Sequence, residues 1–211
     1  MNSRELNDQL AKNGLCVLGG FVLSDRDALG AYGSLALIGP QEPAFWSVFT
    51  DSHEFGDGMP DAMDRWSTRV LADVAANHNA KPLFPFGGAP FHPFYTWALR
   101  SGMFWASPIG FLVHAQAGLF ASFRGALLLP DVLDFETAAK PCDTCPDKPC
   151  KTACPVAAFD DGYNVAVCKS HLNTDKGRDC MSGGCLSRRA CPIGANRRLP
   201  AQSSFHMKAF R

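Results

Sequence analysis

Nine of the 211 residues are cysteines, and eight of the nine fall between positions 142 and 191. They run Cys142-x2-Cys145-x4-Cys150-x3-Cys154-Pro155, then Cys168, Cys180, Cys185 and Cys191-Pro192. Thiols at this density either pair as disulfides or ligate metal. The N-terminal stretch MNSRELNDQLAKNG is polar and carries acids, without the basic and apolar regions of a signal peptide. The expectation is a cytoplasmic, reducing setting, in which ligation is the natural role for the thiols. Zinc is one candidate, since it takes four thiolates tetrahedrally, usually from paired C-x2-C knuckles. Only one C-x2-C is present, however, and a knuckle has no use for Cys-Pro.

A cubane [4Fe–4S] cluster suits the spacing better. It takes three thiolates from one compact run and a fourth from a remote Cys-Pro, and in two-cluster ferredoxins the fourth cysteine of each run crosses to the other cluster. Under that rule the first cluster takes Cys142, Cys145, Cys150 and Cys191. The second takes Cys154, Cys168, Cys180 and Cys185, so all eight are used. The first run has x4 where x2 is usual, and the second is stretched to x11, x4 and x5. Hydrogen bonds around the thiolates tune a cluster, so the potentials here follow from this chain's own surroundings. Small residues in MSGGC let the backbone wrap closely.

The elements that must position these thiols divide the chain in two. Residues 1–135 hold only Cys16, read as a buried thiol acting as a small hydrophobe. Residues 136–211 hold the rest and end in a basic tail. In the first part, SRELNDQLAKNG predicts a helix with Ser3 as N-cap and Gly14 as stop. LCVLGGFVL (15–23) and SLALIG (34–39) predict buried strands, and PAFWSVFTDSH a short helix. The spacing of Met63, Trp66, Val70 and Val74 predicts a long helix over 61–79, capped by Asp61. KPLFPFGGAPFHPF reads as a rigid loop and YTWALRSG as a short helix. IGFLVHAQ and LFASFRGALLL, split by Ala117-Gly118, predict a β-hairpin. The expected class is α/β or α+β, a mixed sheet with helices, followed by a ferredoxin-like two-cluster module.

Residues 101–123 carry no Asp, Glu, Lys or Arg and are long enough to span a bilayer. Pro108, three glycines, His114, Gln116 and the strand-like alternation point instead to a buried segment, so no membrane partner is expected.

At CDTCPDKPCKTACPVAAF the chain resembles the ferredoxin-type module of the epoxyqueuosine reductase family. The similarity extends upstream, where Gly110, Leu112, Val113, His114, Gly118, Phe123, Gly125 and Leu128 stand in the layout that precedes the clusters in that enzyme. That group, which includes reductive dehalogenases, places cobalamin in a nitroreductase-like domain facing the clusters. The resemblance therefore implies a nitroreductase-like first domain, with Gly110, His114, Gly118 and Arg124 as cofactor-binding candidates. Compared with that enzyme the chain is a short relative, and the resemblance implies a two-part redox layout rather than a particular substrate.

Other residues have two readings each. His114 is either a satisfied core histidine or a donor facing a cofactor. His92 and Tyr95, three apart in PFHPFY, are candidates for lining one pocket. Arg124, the only charge in 101–130, needs a partner, either a structural Asp or a ligand carboxylate or phosphate. Catalytic candidates are thus His114, Arg124, His92 and Tyr95. Asp64-Arg65 reads as a solvated or paired face.

Composition adds little bias: Lys plus Arg and Asp plus Glu number 20 each, and 46% of residues are hydrophobic. From Cys180 onward, however, there are Arg188, Arg189, Arg197, Arg198, Lys208 and Arg211 and no acid. That tail either neutralises anionic clusters or docks an anionic partner, protein or RNA. No dinucleotide fingerprint, P-loop or nucleophile elbow is present. Three roles remain open. One is an iron–sulfur reductase passing electrons to cobalamin, flavin or a small-molecule substrate held by residues 1–135. Another is an electron carrier docking on a redox partner protein. The third is a non-redox module in which clusters brace an RNA- or protein-binding surface.

Overall fold

Continuous apolar runs need cover on both faces, and the runs at 34–40 and 125–129 find it in the middle of a sheet. The computed structural model describes residues 3–195, 197 and 199–211. The expected capping side chain of Ser3, and Arg198 of the basic tail, lie outside the described residues. Two units are distinguished. The first comprises the residues up to Phe104 together with Ser122–Ala138, and the second comprises Trp105–Ala121 and Ala139–Arg211.

The first unit opens with helix α1 (Ser3–Ala11), strand β1 (Leu15–Val22) and strand β2 (Ser34–Pro40). Helices α2 (Ala44–Thr50), α3 (His53–Gly56) and α4 (Ala62–Asn77) follow, then strand β3 (Lys81–Leu83) and helix α5 (Phe94–Arg100). Gly14 ends the first helical segment with φ +64°, a left-handed turn that glycine adopts without strain. Strands β4 (Phe104–Ala106) and β5 (Leu112–His114) form a separate two-stranded sheet, and strand β6 (Gly125–Leu129) brings the chain back.

The main sheet has the order β1-β2-β6-β3, and each of its pairings is antiparallel. This corrects the expected mixed sheet. Residues 23–33 join β1 to β2 as a local connection, so no helical crossover between parallel strands is needed. The structure also corrects the expected hairpin over 109–129. β5 pairs with β4, while β6 inserts between β2 and β3. The physical reason is burial. All five residues of β6 are buried, as are Ser34–Gly39 of β2, and a two-stranded hairpin covers neither face. The stretch KPLFPFGGAPFHPF is a loop apart from its first residues, where β3 pairs Leu83 with Ala126.

Helix α4 packs on β3 and β6, while α1 and α5 pack on β1. Met63, Trp66, Val70 and Val74 are buried along its expected stripe. Trp66 meets Phe45 and Phe49 of α2 edge-on, at centroid separations of 5.6 and 5.8 Å, a geometry aromatic quadrupoles favour. Asp61 precedes α4 at φ +53° and makes no side-chain cap bond. Its carbonyl receives the amides of Asp64 and Arg65 instead, which corrects the expected cap. Arg65 of the Asp64-Arg65 pair grips both oxygens of Asp57 at 2.8 Å.

Glu54 is only 6% exposed. The Arg69 guanidinium binds both its oxygens, at 2.5 and 3.0 Å, and these hydrogen bonds hold the carboxyl down from 4.5 to about 2. A carboxyl whose folded value lies below its unfolded value stabilises the fold above the unfolded value, and loses that contribution as pH falls. The window here runs from 4.5 down to about 2. The Glu54→Gln protein is expected to lack this slope when thermal unfolding is followed by tryptophan fluorescence across those pH values. Equal slopes in the two proteins would assign the acid sensitivity elsewhere.

The second unit adds helices α6 (Val165–Leu172), α7 (Arg178–Gly183), α8 (Leu186–Arg189) and α9 (Pro200–Phe210). Asn164 caps α6 by accepting the Val167 amide at 3.1 Å. Residues 105–121 lie in this unit rather than with the preceding domain. Ile109, Val113 and Leu119 share a buried cluster with Cys150, Phe159 and Cys191, and burial of those apolar side chains fixes the segment there. No described helix is long and apolar enough to cross a membrane.

Candidate metal centre

Cys142 sits in a turn after Pro141, Cys145 follows it in irregular chain, and Cys150 lies buried in a short 3-10 turn, Pro149–Lys151. Cys191 follows α8 and is also buried. These four, far apart in sequence at the last step, line a single cavity of about 20 Å³. Its other walls include the apolar Pro108, Val113, Leu119 and Ile193, while Cys142 and Cys145 are half-buried. Burial pushes the Cys142 and Cys150 thiols up, and the neighbouring thiols add to this: Cys191 and Cys145 act on Cys142, and all three others act on Cys150. Ser107 also lines this cavity, and its buried hydroxyl has no hydrogen-bond partner.

Cys191 is placed by two interlocked turns. The His114 and Gly118 backbones exchange hydrogen bonds of 3.0 Å, and His114 Nδ1 accepts the amides of Gln116 and Ala117 at 3.2 and 3.0 Å. Gly118 has φ +57°, and a Cβ there would stand 2.0 Å from the Ile193 carbonyl oxygen and 3.1 Å from Cys191 Sγ. Gly194 returns the contact, with its own Cβ direction 2.6 Å from the Ala117 oxygen. Only glycine permits this approach.

Two of the second set lie in helices and two outside them. Cys168 is in α6, Cys180 in α7, and Cys185 is the residue before α8. Cys154 Sγ accepts the Ala158 amide at 3.3 Å. Burial pushes Cys180 and Cys185 up, while amides oppose it: Leu186 at Cys180, and Arg188 and Ser187 at Cys185. Tyr163 binds the set together. Its ring stacks on Phe159 at 4.8 Å and meets Phe111 edge-on at 5.0 Å. Burial raises its phenol, as do a hydrogen bond to Cys168 and the charges of Cys168, Cys185 and Cys154. Among the described residues the buried Ser187 hydroxyl has no hydrogen-bond partner.

The structure brings Cys142, Cys145, Cys150 and Cys191 around one cavity, while Cys154, Cys168, Cys180 and Cys185 are linked only through Tyr163 and Cys185. Among the described residues, no group of three or more His, Cys, Asp or Glu closes on a point where one ion would sit. The first set stands around a space instead. Buried unpaired hydroxyls at Ser107 and Ser187 suit a group with sulfur acceptors on its surface. The donor set fits a cluster.

The remaining candidates are occupied otherwise. His114 is a buried turn brace, with Nδ1 accepting and therefore unprotonated. Gly118 is filled by the Ile193 backbone, whereas Gly110, at φ +80°, has nothing within 4 Å of its Cβ direction. Arg124 belongs to the first unit, where burial pulls its guanidinium down to about 10 while Asp64 opposes the shift. Asp64 acts on its charge without an ion pair to it among the described residues, and the buried Arg124 Nε has no hydrogen-bond partner there. His92 stacks on Trp97 at 5.6 Å and lines a surface groove with Phe86 and Phe91. Tyr95 is not among the walls of that groove. Cys16 Sγ donates to the Pro40 carbonyl at 3.6 Å.

Tyr163, Ser107, Ser187 and the inward position of Arg188 had no signal in the sequence beyond their proximity to cysteines. The basic tail divides. Arg189 pairs with Asp179 at 2.6 Å, Arg188 turns inward, and Arg197 is exposed. No protein-family model matches the chain, and no curated protein matches it.

Proposed function

We propose that the protein is an iron–sulfur redox protein of the ferredoxin type, holding one [4Fe–4S] cluster in each thiol set and passing electrons to a redox partner protein. The observation that carries this reading is the convergence of Cys142, Cys145, Cys150 and the distant Cys191 on one apolar cavity. Zn–S bonds of about 2.3 Å draw four tetrahedral sulfurs to about 4 Å of one another. Among the described residues no three such ligands close on one ion, and the Cys-Pro spacing favours a cluster. When bound, a cubane takes up or releases single electrons.

The chain's own residues do the rest. The eight thiols ligate as thiolates, and since burial raises several of them, loading releases protons. Backbone amides at Cys154, Cys180 and Cys185 hydrogen-bond the ligand sulfurs. Pro108, Val113, Leu119 and Ile193 give the first set apolar walls. The resemblance to epoxyqueuosine reductases agrees with a ferredoxin-type second unit and suggests a nitroreductase-like first unit. The residues it offered for cobalamin or flavin do not fit such a group, because His114 and Gly118 are committed to the turn behind Cys191 and Arg124 lies in the other unit beside Asp64.

The test is iron and sulfide analysis of anaerobically purified protein with its visible spectrum, repeated after adding cob(II)alamin or flavin. About eight irons and eight sulfides are expected, with no change in the cofactor bands. Zinc in place of iron would overturn the reading. A shifted cofactor band would convert the carrier into a reductase.

A further inference from the structure

The C-terminal helix α9 lies against the elements that carry the second thiol set. It packs on α7, which holds Cys180. Its Ser203 is buried against Gly184, where an added Cβ would stand 3.1 Å from the serine Cβ, and Gly184 immediately precedes Cys185. At the far end of the helix, the Phe210 ring stacks on Tyr163 at 6.4 Å. Lys169, the residue after Cys168, holds its ammonium over the same Phe210 ring at 5.2 Å. Helix α9 thus meets the chain beside three of the second set's four cysteines. None of its residues is among the walls of the first cavity.

A helix of 11 residues is marginal by itself in water, so packing must hold α9 in place. That packing contains little apolar surface. The side chains it buries fully are polar, Gln202 and Ser203. Its large apolar side chains, Phe205, Met207 and Phe210, are only half-buried. Its N-cap position is filled by the exposed Leu199, which makes no side-chain cap bond. Burial of apolar area is what chiefly holds an element down, and elements with little of it open locally before the body of a domain unfolds.

We infer that α9 is a detachable cover over the second centre, and that its opening sets how readily dissolved molecules reach that centre and not the first. This rests on the two-cluster reading. Ser203 and Phe210 are seven residues apart and share one face of the helix. When that face lifts, the turn before Cys185, the Tyr163 ring and the helix carrying Cys180 are uncovered together. The cysteines of the first set gain nothing from the movement. Access to one of two centres with the same ligands is thereby assigned to a segment that supplies no ligand.

The test uses the reconstituted full-length protein without oxygen. Hydrogen exchange is read by mass spectrometry, and iron is extracted with EDTA. The centre that survives extraction is identified by its electron paramagnetic resonance after reduction, against the Cys154→Ala and Cys191→Ala proteins. In the wild-type protein the amides of α9 should exchange together and ahead of those of α7. Phe210→Ala, which takes the ring from Tyr163, should raise that exchange and speed release of the second centre's iron about fivefold. Leu199→Ser, which supplies the missing cap, should slow both about threefold. Release from the first centre should be the same in all three proteins. Exchange of α9 in step with α7, release unmoved by either substitution, or equal changes at both centres overturns the inference. Fewer than about eight irons in the wild-type protein would instead refute the two-cluster reading itself, a separate result from whether α9 exchanges ahead of α7.

Discussion

Replacing Cys191 with alanine is expected to cut bound iron from about eight to about four per chain, and the four lost should be those nearest Cys142 rather than those nearest Cys185. By sequence distance Cys191 belongs with Cys180 and Cys185. By geometry it belongs with the first run, since it shares the cavity of Cys142, Cys145 and Cys150. The reciprocal substitution, Cys154→Ala, should spare the first centre, although Cys154 lies only four residues from Cys150. Its sulfur acts on Tyr163 together with those of Cys168 and Cys185. Iron content reads the loss. The signal of the surviving centre should differ between the two variants, because different centres survive. Identical survivors would break the crossed assignment. Complete loss of iron in both would mean that the centres assemble only together.

Gly118→Ala should destabilise the second unit by about 3 kcal/mol, an unusually large effect for adding one methyl group. Two causes combine. The residue sits at φ +57°, where an L side chain is strained, and the new Cβ would stand 2.0 Å from the Ile193 carbonyl oxygen. That atom is backbone and yields only if the turn carrying Cys191 moves. The variant should therefore lose iron from the first centre as well as stability. Gly110→Ala is the matched control. Its φ is +80° but no atom lies within 4 Å, so strain alone should cost about 1 kcal/mol and iron should be retained. Denaturant unfolding with parallel iron analysis separates the two. Equal effects would show that the interlocked turns do not position the thiol.

The meeting of Cys191 with Cys142, Cys145 and Cys150 at one cavity was legible in the sequence because the crossing rule uses only order, spacing and the prolines after Cys154 and Cys191. The strands Leu15–Val22 and Ser34–Pro40 and the stripe on Ala62–Asn77 were legible from hydrophobic periodicity. What periodicity could not supply was pairing. Residues 125–129 read as the second arm of a hairpin, since local pairing is the simplest reading of two adjacent apolar runs. The deciding fact is that β2 and β3 both pair with this strand, and that is a long-range property. The cofactor candidates show a similar limit. His114 and Gly118 were correctly picked as unusual, but a buried histidine bracing a turn and one facing a cofactor have the same sequence. Arg188 was visible only as one cation in a basic tail, because the carbonyl of Leu119 that turns it inward lies 69 residues earlier.

The chain passes between its two units three times, at residues 104–105, 121–122 and 138–139, and this bears on how the protein is made and how it can evolve. A ribosome releases the strand that belongs between β2 and β3 only after the 105–121 segment of the other unit has emerged, so neither unit is complete until much of its neighbour has been synthesised. The cysteine-rich part is not a cassette that a single recombination event could lift out and append to another protein. A fragment beginning at residue 139 would leave behind Val113 and Leu119, which wall the first cavity, and the turn that seats Cys191. Inheritance of the two halves is thus tied together by topology, whatever partner each serves.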